Sequence, residues 1–179
     1  LDLGDFSNGA ELMTRDTPHL THVDSDGHVR MVDVTAKTPT ARMARAEAIV
    51  RISPELASRI RAGTLAKGPV EEVIRIAAIC AAKRTDELIP LCHTLPLDGV
   101  DVCTTVADDH VRIEVRVCTF ARTGVEMEAL VAASIGALAL IDMGKAVDRW
   151  MVIERVRMLE KRGGRSGTHL AADAKEFAQ

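Results

Sequence analysis

The chain has 179 residues, 47% hydrophobic and 27% charged, with 23 Lys and Arg against 26 Asp and Glu for a formal net charge of -3. That balance fits one soluble globular domain and excludes an intrinsically disordered chain. It offers nucleic acid no global basic field, and three Phe, one Trp and no Tyr are too few aromatic platforms for stacking single strands.

Residues 1–20 mix Gly, Asn, Asp, Thr and Pro without a period and read as a mobile arm, ahead of a single domain over 21–168. Asp2, Asp5 and Glu11 interrupt any apolar h-region, so no signal peptide is expected. Val29–Thr35 is rich in β-branched residues and is expected to be a strand. Pro39 and Thr40 are expected to open an Ala- and Arg-rich helix reaching about Val50. Ser53 and Pro54 carry the N-cap and first-turn signature of a short helix that Gly63 would close. A further helix starts near Pro69, with Glu71 and Glu72 in its first turn and Lys83 and Arg84 in its last.

Pro90 and Pro96 make the intervening residues a stiff connector, since proline suits neither helix interior nor central strand. Val100–Val106 and Val111–Val117 then form an antiparallel hairpin turned at Asp108 and Asp109. Alternation of Val111, Ile113, Val115 and Val117 with Arg112, Glu114 and Arg116 gives it one solvated face. Gly124 introduces a long helix to about Val147, apolar around most of its girth, so that a partner subunit is a natural cover. Its longest apolar run, Val131–Ile141, falls short of a membrane span, and the cytoplasm is the expected compartment. A last strand covers about Val152–Leu159, before a basic Gly-rich segment and a loose tail over 169–179. Strand, helices, two strands, helix, strand is the order of an α+β two-layer sandwich: a ferredoxin-like antiparallel sheet with helices packed on one face.

Four cysteines, at positions 80, 92, 103 and 118, form no C-x-x-C pair and read as reduced small hydrophobes, with no metal site implied. Four segments concentrate polar groups. Leu91, Cys92 and His93 lie in the proline-bounded connector; a lone His among apolar residues is more often a hydrogen-bonded structural residue, but loops carry functional groups more often than core elements do. Glu126, Met127 and Glu128 open the long helix. The dipole alone accounts for carboxylates there, and two residues of separation put the two glutamates about 200° apart. Asp142 and Lys145 share a helix face at three-residue spacing, either as a surface ion pair or as a carboxylate positioning a proton donor. Lys67 with Gly68, and Lys161 with the following glycine loop, let backbone N–H groups and cations approach one phosphate together. No P-loop, G-x-G-x-x-G or H-E-x-x-H pattern is present. The residues alone indicate an anionic small-molecule site built of Lys, Asp, His and Glu, without naming its reaction.

At these segments the sequence resembles the MoaC family of molybdenum cofactor biosynthesis. The stretches that carry the likeness are Leu20–Val23 (LTHV), Met31–Val34 (MVDV), Ala81–Thr85 (AAKRT) and Leu88–His93 (LIPLCH). Thr123–Leu130 (TGVEMEAL), Asp142–Val147 (DMGKAV) and Gly163–Gly167 (GGRSG) complete them, in one order over about residues 20–168. The resemblance implies a phosphorus-oxygen lyase that converts (8S)-3′,8-cyclo-7,8-dihydroguanosine 5′-triphosphate to cyclic pyranopterin monophosphate and releases diphosphate. It implies catalytic Asp142, Lys145 and Lys67, and substrate contacts at Leu91, Cys92, His93, Met127, Glu126, Glu128 and Lys161. It also implies a homohexamer, a trimer of dimers, with active sites at subunit interfaces, and neither nucleic-acid nor membrane partners. No cofactor is firmly implied, although a divalent cation can accompany a triphosphate.

Relatives commonly carry Cys where this chain has Gly144, Pro where it has Thr94, and an acidic residue where Pro69 stands. Gly144 is expected to weaken its helix by roughly 1 kcal/mol relative to Ala. Two other classes share such a topology: a regulatory module that binds a small ligand without catalysis, and a nucleic-acid-binding module. The latter is disfavoured by the missing aromatics and the acidic balance.

Overall fold

Alternation, rather than helical propensity, governs the first element. In the computed structural model, which describes residues 26–177, Thr40–Arg51 is a strand, β1. Ala44, Ala46, Ala48 and Val50 are fully buried on one face, while Arg45 and Glu47 point to the other. The helix expected from Pro39 to Val50 is therefore corrected. Ala and Arg favour helices by a few tenths of a kcal/mol per residue, and a small apolar residue at every second position outweighs that by fitting a central strand. The strand expected over Val29–Thr35 is also corrected. Asp33 accepts the Thr35 N–H at 2.8 Å and Lys37 N–H bonds to Val34 C=O, so a turn takes the backbone groups a ladder would need. By its contacts the chain divides between Val32 and Asp33. Of the first unit only residues 26–32 are described, with an isolated bridge at Val29. The arm expected over 1–20 lies outside the described residues. Every helix and numbered strand belongs to the second unit, from Asp33 onward.

Local signals set the helix ends. In α1 (Pro54–Arg61) the Ser53 hydroxyl accepts the Leu56 N–H. Gly63, at φ +65°, donates to Ile60 C=O while Thr64 donates to Arg59 C=O, a Schellman closure. α2 (Val70–Ala82) is followed by one turn, α3 (Thr85–Leu88). The hairpin is present as β2 (Gly99–Val106) and β3 (His110–Ala121). α4 (Glu126–Gly144) then crosses the sheet, and β4 (Val152–Arg162) and β5 (His169–Leu170) finish the chain. All strand pairs are antiparallel in the order β2-β3-β1-β4-β5, with helices on one face, so the fold is a ferredoxin-like α+β sandwich.

α4 is long and apolar enough to cross a membrane by length and composition, but here it is the core helix. Ala129, Ala132, Ala133, Ala137 and Leu140 are fully buried. At Gly136 a Cβ would stand 3.4 Å from both Ile113 and Ile74, ordinary contact distance, which marks how closely α4 packs on β3 and α2.

The opposite face of the sheet is charged, yet at its centre it is not solvated as the hairpin pattern suggests. Arg45 lies between Glu114 and Glu160, each at 2.9 Å or less. Glu47 takes Arg112 at 2.6 Å, Arg157 at 2.8 Å and Arg155 at 3.1 Å. Burial alone would push Glu47 up, but hydrogen bonds from Arg112 and Arg157 hold it below the ordinary carboxylate value. Residues 169–177, which composition suggests are loose, lie along this face. His169 and Leu170 pair with Lys161 and Glu160, Asp173 takes the Arg157 fork at 2.8 and 3.0 Å, and Phe177 stacks on Arg116.

The loop after β4 depends on backbone geometry. Gly163, at φ +95°, would place a Cβ against Ala41 C=O. Gly163→Ala is expected to lose about 2 kcal/mol or more, measured as a lower urea midpoint with unchanged slope.

Candidate functional site

Two polar clusters mark the two ends of α4. At its C-terminal end, Lys67 and Lys145 hold Asp142 between them. Lys67 sits in a turn closed by the Gly68 N–H on Leu65 C=O, with Gly68 at φ +98° and Leu65 buried beneath. Its ammonium donates to Asp142 Oδ2 at 2.8 Å and to Asp142 C=O at 2.7 Å. The second bond satisfies a carbonyl from the last turn of α4, which has no partner in its own helix. Lys145 Nζ lies 2.8 Å from Asp142 Oδ1. Hydrogen bonds from Lys145 and Lys67 hold the Asp142 carboxyl down at about 2. Asp142 and Lys145 side chains are each 59% exposed, so the cluster is open to a ligand.

The segment after α4 fixes this end in place. Asp148 accepts the Ser53 N–H at 2.7 Å and the Trp150 N–H at 3.0 Å, tying the helix end to the start of α1. Gly144 is the last residue of α4, so the interior-helix penalty expected for it does not apply in full. Leu56 of α1 fills the space beside it, 2.8 Å from where a Cβ would stand.

At the N-terminal end the two glutamates part, as their angular separation requires. Glu126 pairs with Lys161 at 3.0 Å, and its carboxylate folds back over Gly124. Glu128 turns inward and is only 4% exposed. Burial, with the charges of Glu126 and Asp86 added, raises it from 4.5 to about 7. Burial also raises the Cys92 thiol, and the charges of Glu128 and Asp86 add to it. Leu91, Cys92, His93 and Met127 are each half-buried. All four cysteines are unpaired. Among the described residues no group of three or more His, Cys, Asp or Glu gathers as a metal ion would need.

The sequence-selected residues therefore fall into two sets. Lys67, Asp142 and Lys145 come together at one end of α4; Cys92, Glu126, Glu128 and Lys161 gather at the other. At 1.5 Å rise per residue the ends are about 21 Å apart between Glu128 and Asp142. Sequence reasoning missed Arg42, whose guanidinium lies against Gly164 in the basic loop and whose Nε is buried without a partner among the described residues. It also missed Asp86, which accepts a hydrogen bond from Thr94 at 2.5 Å. Nothing in local spacing pairs either residue with its neighbour.

Fold and site together define a ferredoxin-like protein with a Lys67–Asp142–Lys145 ion-pair cluster at one end of its core helix and a basic glycine loop after β4. The chain matches the MoaC family over residues 31–164. It is 55% identical over 151 residues to the cyclic pyranopterin monophosphate synthase of Thermomicrobium roseum, covering 83% of this chain and 91% of that protein. The chain belongs to the MoaC family.

Proposed function

We propose that the chain is a cyclic pyranopterin monophosphate synthase, a lyase of molybdenum cofactor biosynthesis acting in the cytoplasm. It converts (8S)-3′,8-cyclo-7,8-dihydroguanosine 5′-triphosphate to cyclic pyranopterin monophosphate and diphosphate. The observation that carries this reading is Asp142 holding Lys67 and Lys145 on its two oxygens, each at 2.8 Å, in a chain of this family. A ligand-binding regulatory module has no need of two positioned ammonium donors, and family membership favours the enzyme.

In this reading Lys161, Arg42 and the glycine loop hold the triphosphate, where cationic and backbone donors counter the charge that builds on phosphate oxygens. Glu128, Met127 and the Leu91–His93 connector hold the ring system. Lys67 and Lys145 exchange protons as the purine ring opens and the pterin closes, and Asp142 keeps both ammonium groups on target. A ribose hydroxyl then attacks the innermost phosphorus, forming the cyclic phosphate and expelling diphosphate.

Ring-binding and proton-transferring groups must lie within about 3 Å of the same substrate, whereas one chain separates them by the length of α4. Two copies with their α4 helices antiparallel across a two-fold axis would bring opposite ends of α4 together, an arrangement that gives active sites between subunits; the homohexamer, a trimer of dimers, is what the family likeness adds. The test supplies the cyclic dihydroguanosine triphosphate and follows diphosphate and pterin together. Lys145→Ala and Glu128→Ala, each inactive alone, are then co-refolded. Shared sites are expected to restore about a quarter of wild-type turnover by random pairing, and sites confined to one chain would restore none.

A further inference from the structure

The connector that carries Cys92 and His93 has a brace outside its own span. α3 is a single turn, anchored where the buried Thr85 hydroxyl donates to Ala82 C=O at 3.1 Å and approaches Ala81 C=O at 3.4 Å. The next residue, Asp86, is half-buried and accepts the Thr94 hydroxyl at 2.5 Å. Between them the chain makes one turn, Cys92 N–H to Ile89 C=O at 3.0 Å, and is stiffened by Pro90. The Asp86–Thr94 bond thus closes a loop whose enclosed residues are the ring-facing ones, Leu91, Cys92 and His93. A stiff proline at each end limits the bends available to this connector, but a third tie is what fixes where its middle stands.

We propose that Asp86 is a positioning residue for the ring-binding half of the site: through Thr94 it sets the Cys92–His93 loop. The proposal rests on the synthase reading and adds to it a residue that touches no substrate. The charged and titratable groups shown to act on Glu128 are Glu126 on its own helix and Asp86 from α3; those acting on Cys92 are Glu128 and Asp86. Lys161 reaches the cluster through Glu126. Asp86 therefore has two separable effects. Its hydrogen bond places the loop, and its negative charge disfavours a second negative charge beside it.

Two substitutions separate them. Asp86→Asn keeps an oxygen to accept from Thr94 and removes the charge. Thr94→Val keeps the charge and the side-chain shape and removes the bond. Alkylation of Cys92 by iodoacetamide, followed by peptide mass mapping against pH, reports both effects in the full-length protein without any turnover. Thr94→Val is expected to raise the limiting alkylation rate and leave the thiol midpoint where it was. Asp86→Asn is expected to lower the midpoint and leave the limiting rate unchanged. In the turnover assay Thr94→Val is expected to raise KM about 3-fold, less than a full hydrogen bond to a charged group because Thr94 is exposed, with kcat nearly unchanged. Asp86→Asn is expected to move the acid limb of kcat/KM to lower pH. A Thr94→Val protein with wild-type alkylation and KM overturns the brace, and an Asp86→Asn protein with unmoved midpoint and limb overturns the charge effect. Wild-type protein without turnover would instead overturn the synthase reading, and the alkylation profiles would still decide the brace.

Discussion

Lys145→Ala is expected to lower kcat by about 10²–10⁴-fold, the usual contribution of a positioned acid or base, with almost no change in melting temperature. Both halves follow from the geometry. Lys145 reaches Asp142 across one helical turn at 2.8 Å, and both side chains are more than half exposed. Exposed ion pairs add little to folding, so the fold has no reason to fail. Asp142→Asn should be as damaging, because Lys67 and Lys145 then lose their common anchor. Lys145→Arg separates charge from proton transfer: a guanidinium keeps the positive charge but does not give up its proton near neutral pH. It should retain KM within a few-fold while kcat collapses. If kcat instead survived in Lys145→Arg, Lys145 would be an anion binder and the proton transfers would belong to Lys67. Asp142 adds no acid limb of its own. Its carboxyl is held at about 2, so it is ionised across any working pH, and the stability it contributes is lost only as pH falls from the ordinary carboxylate range through that value.

How much of the fold and site was legible in the sequence depended on whether the governing interaction was local. The Ser53–Pro54 start and Gly63 stop of α1 could be read from three residues, because capping chemistry is set within one turn. The hairpin could be read because Val111–Val117 alternates without exception and Asp108–Asp109 sits between its strands. β1 could not. Its Ala and Arg content speaks for a helix, and what makes it a strand is β3 and β4 on either side with Arg45 and Glu47 neutralised by residues more than sixty positions away. The exchange of β1 for the run at Val29–Thr35 left the order of element types intact, so the fold class was right although its first strand was misplaced. The site divides in the same way. The three-residue spacing of Asp142 and Lys145 announces their contact, and the spacing of Glu126 and Glu128 announces their divergence. Lys67 meets Asp142 across 75 positions and Thr94 meets Asp86 across a change of direction, and no periodicity connects either pair.

Glu128→Gln is expected to make the protein more stable above neutral pH while making it a worse enzyme. Burial with Glu126 and Asp86 nearby raises Glu128 from 4.5 to about 7, so the folded chain holds this proton more tightly than the unfolded one. For a group shifted upward, stability is fullest below 4.5, falls as pH rises from there to about 7, and is flat beyond. Gln cannot ionise and keeps the shape of the protonated acid, so at fixed protomer concentration the two proteins should match near pH 4. At pH 8 the variant should be ahead by about 2 kcal/mol, a figure discounted from the full shift for solvent screening. Urea unfolding at a series of pH values reads this directly. Catalysis should move the other way. A pterin-forming ring presents N–H donors, and an ionised carboxylate accepts them where an amide offers one oxygen and two competing hydrogens. The acid limb of wild-type kcat/KM, which reports the free enzyme, is expected between 4.5 and about 7. The limb of kcat should lie lower still, since bound N–H donors favour the carboxylate. Glu128→Gln should lose the limb and lie well below wild type at pH 8. Wild-type stability that is flat from pH 5 to 7, or a limb that persists in Glu128→Gln, would assign the titration to another group and return Glu128 to a purely structural place in the core.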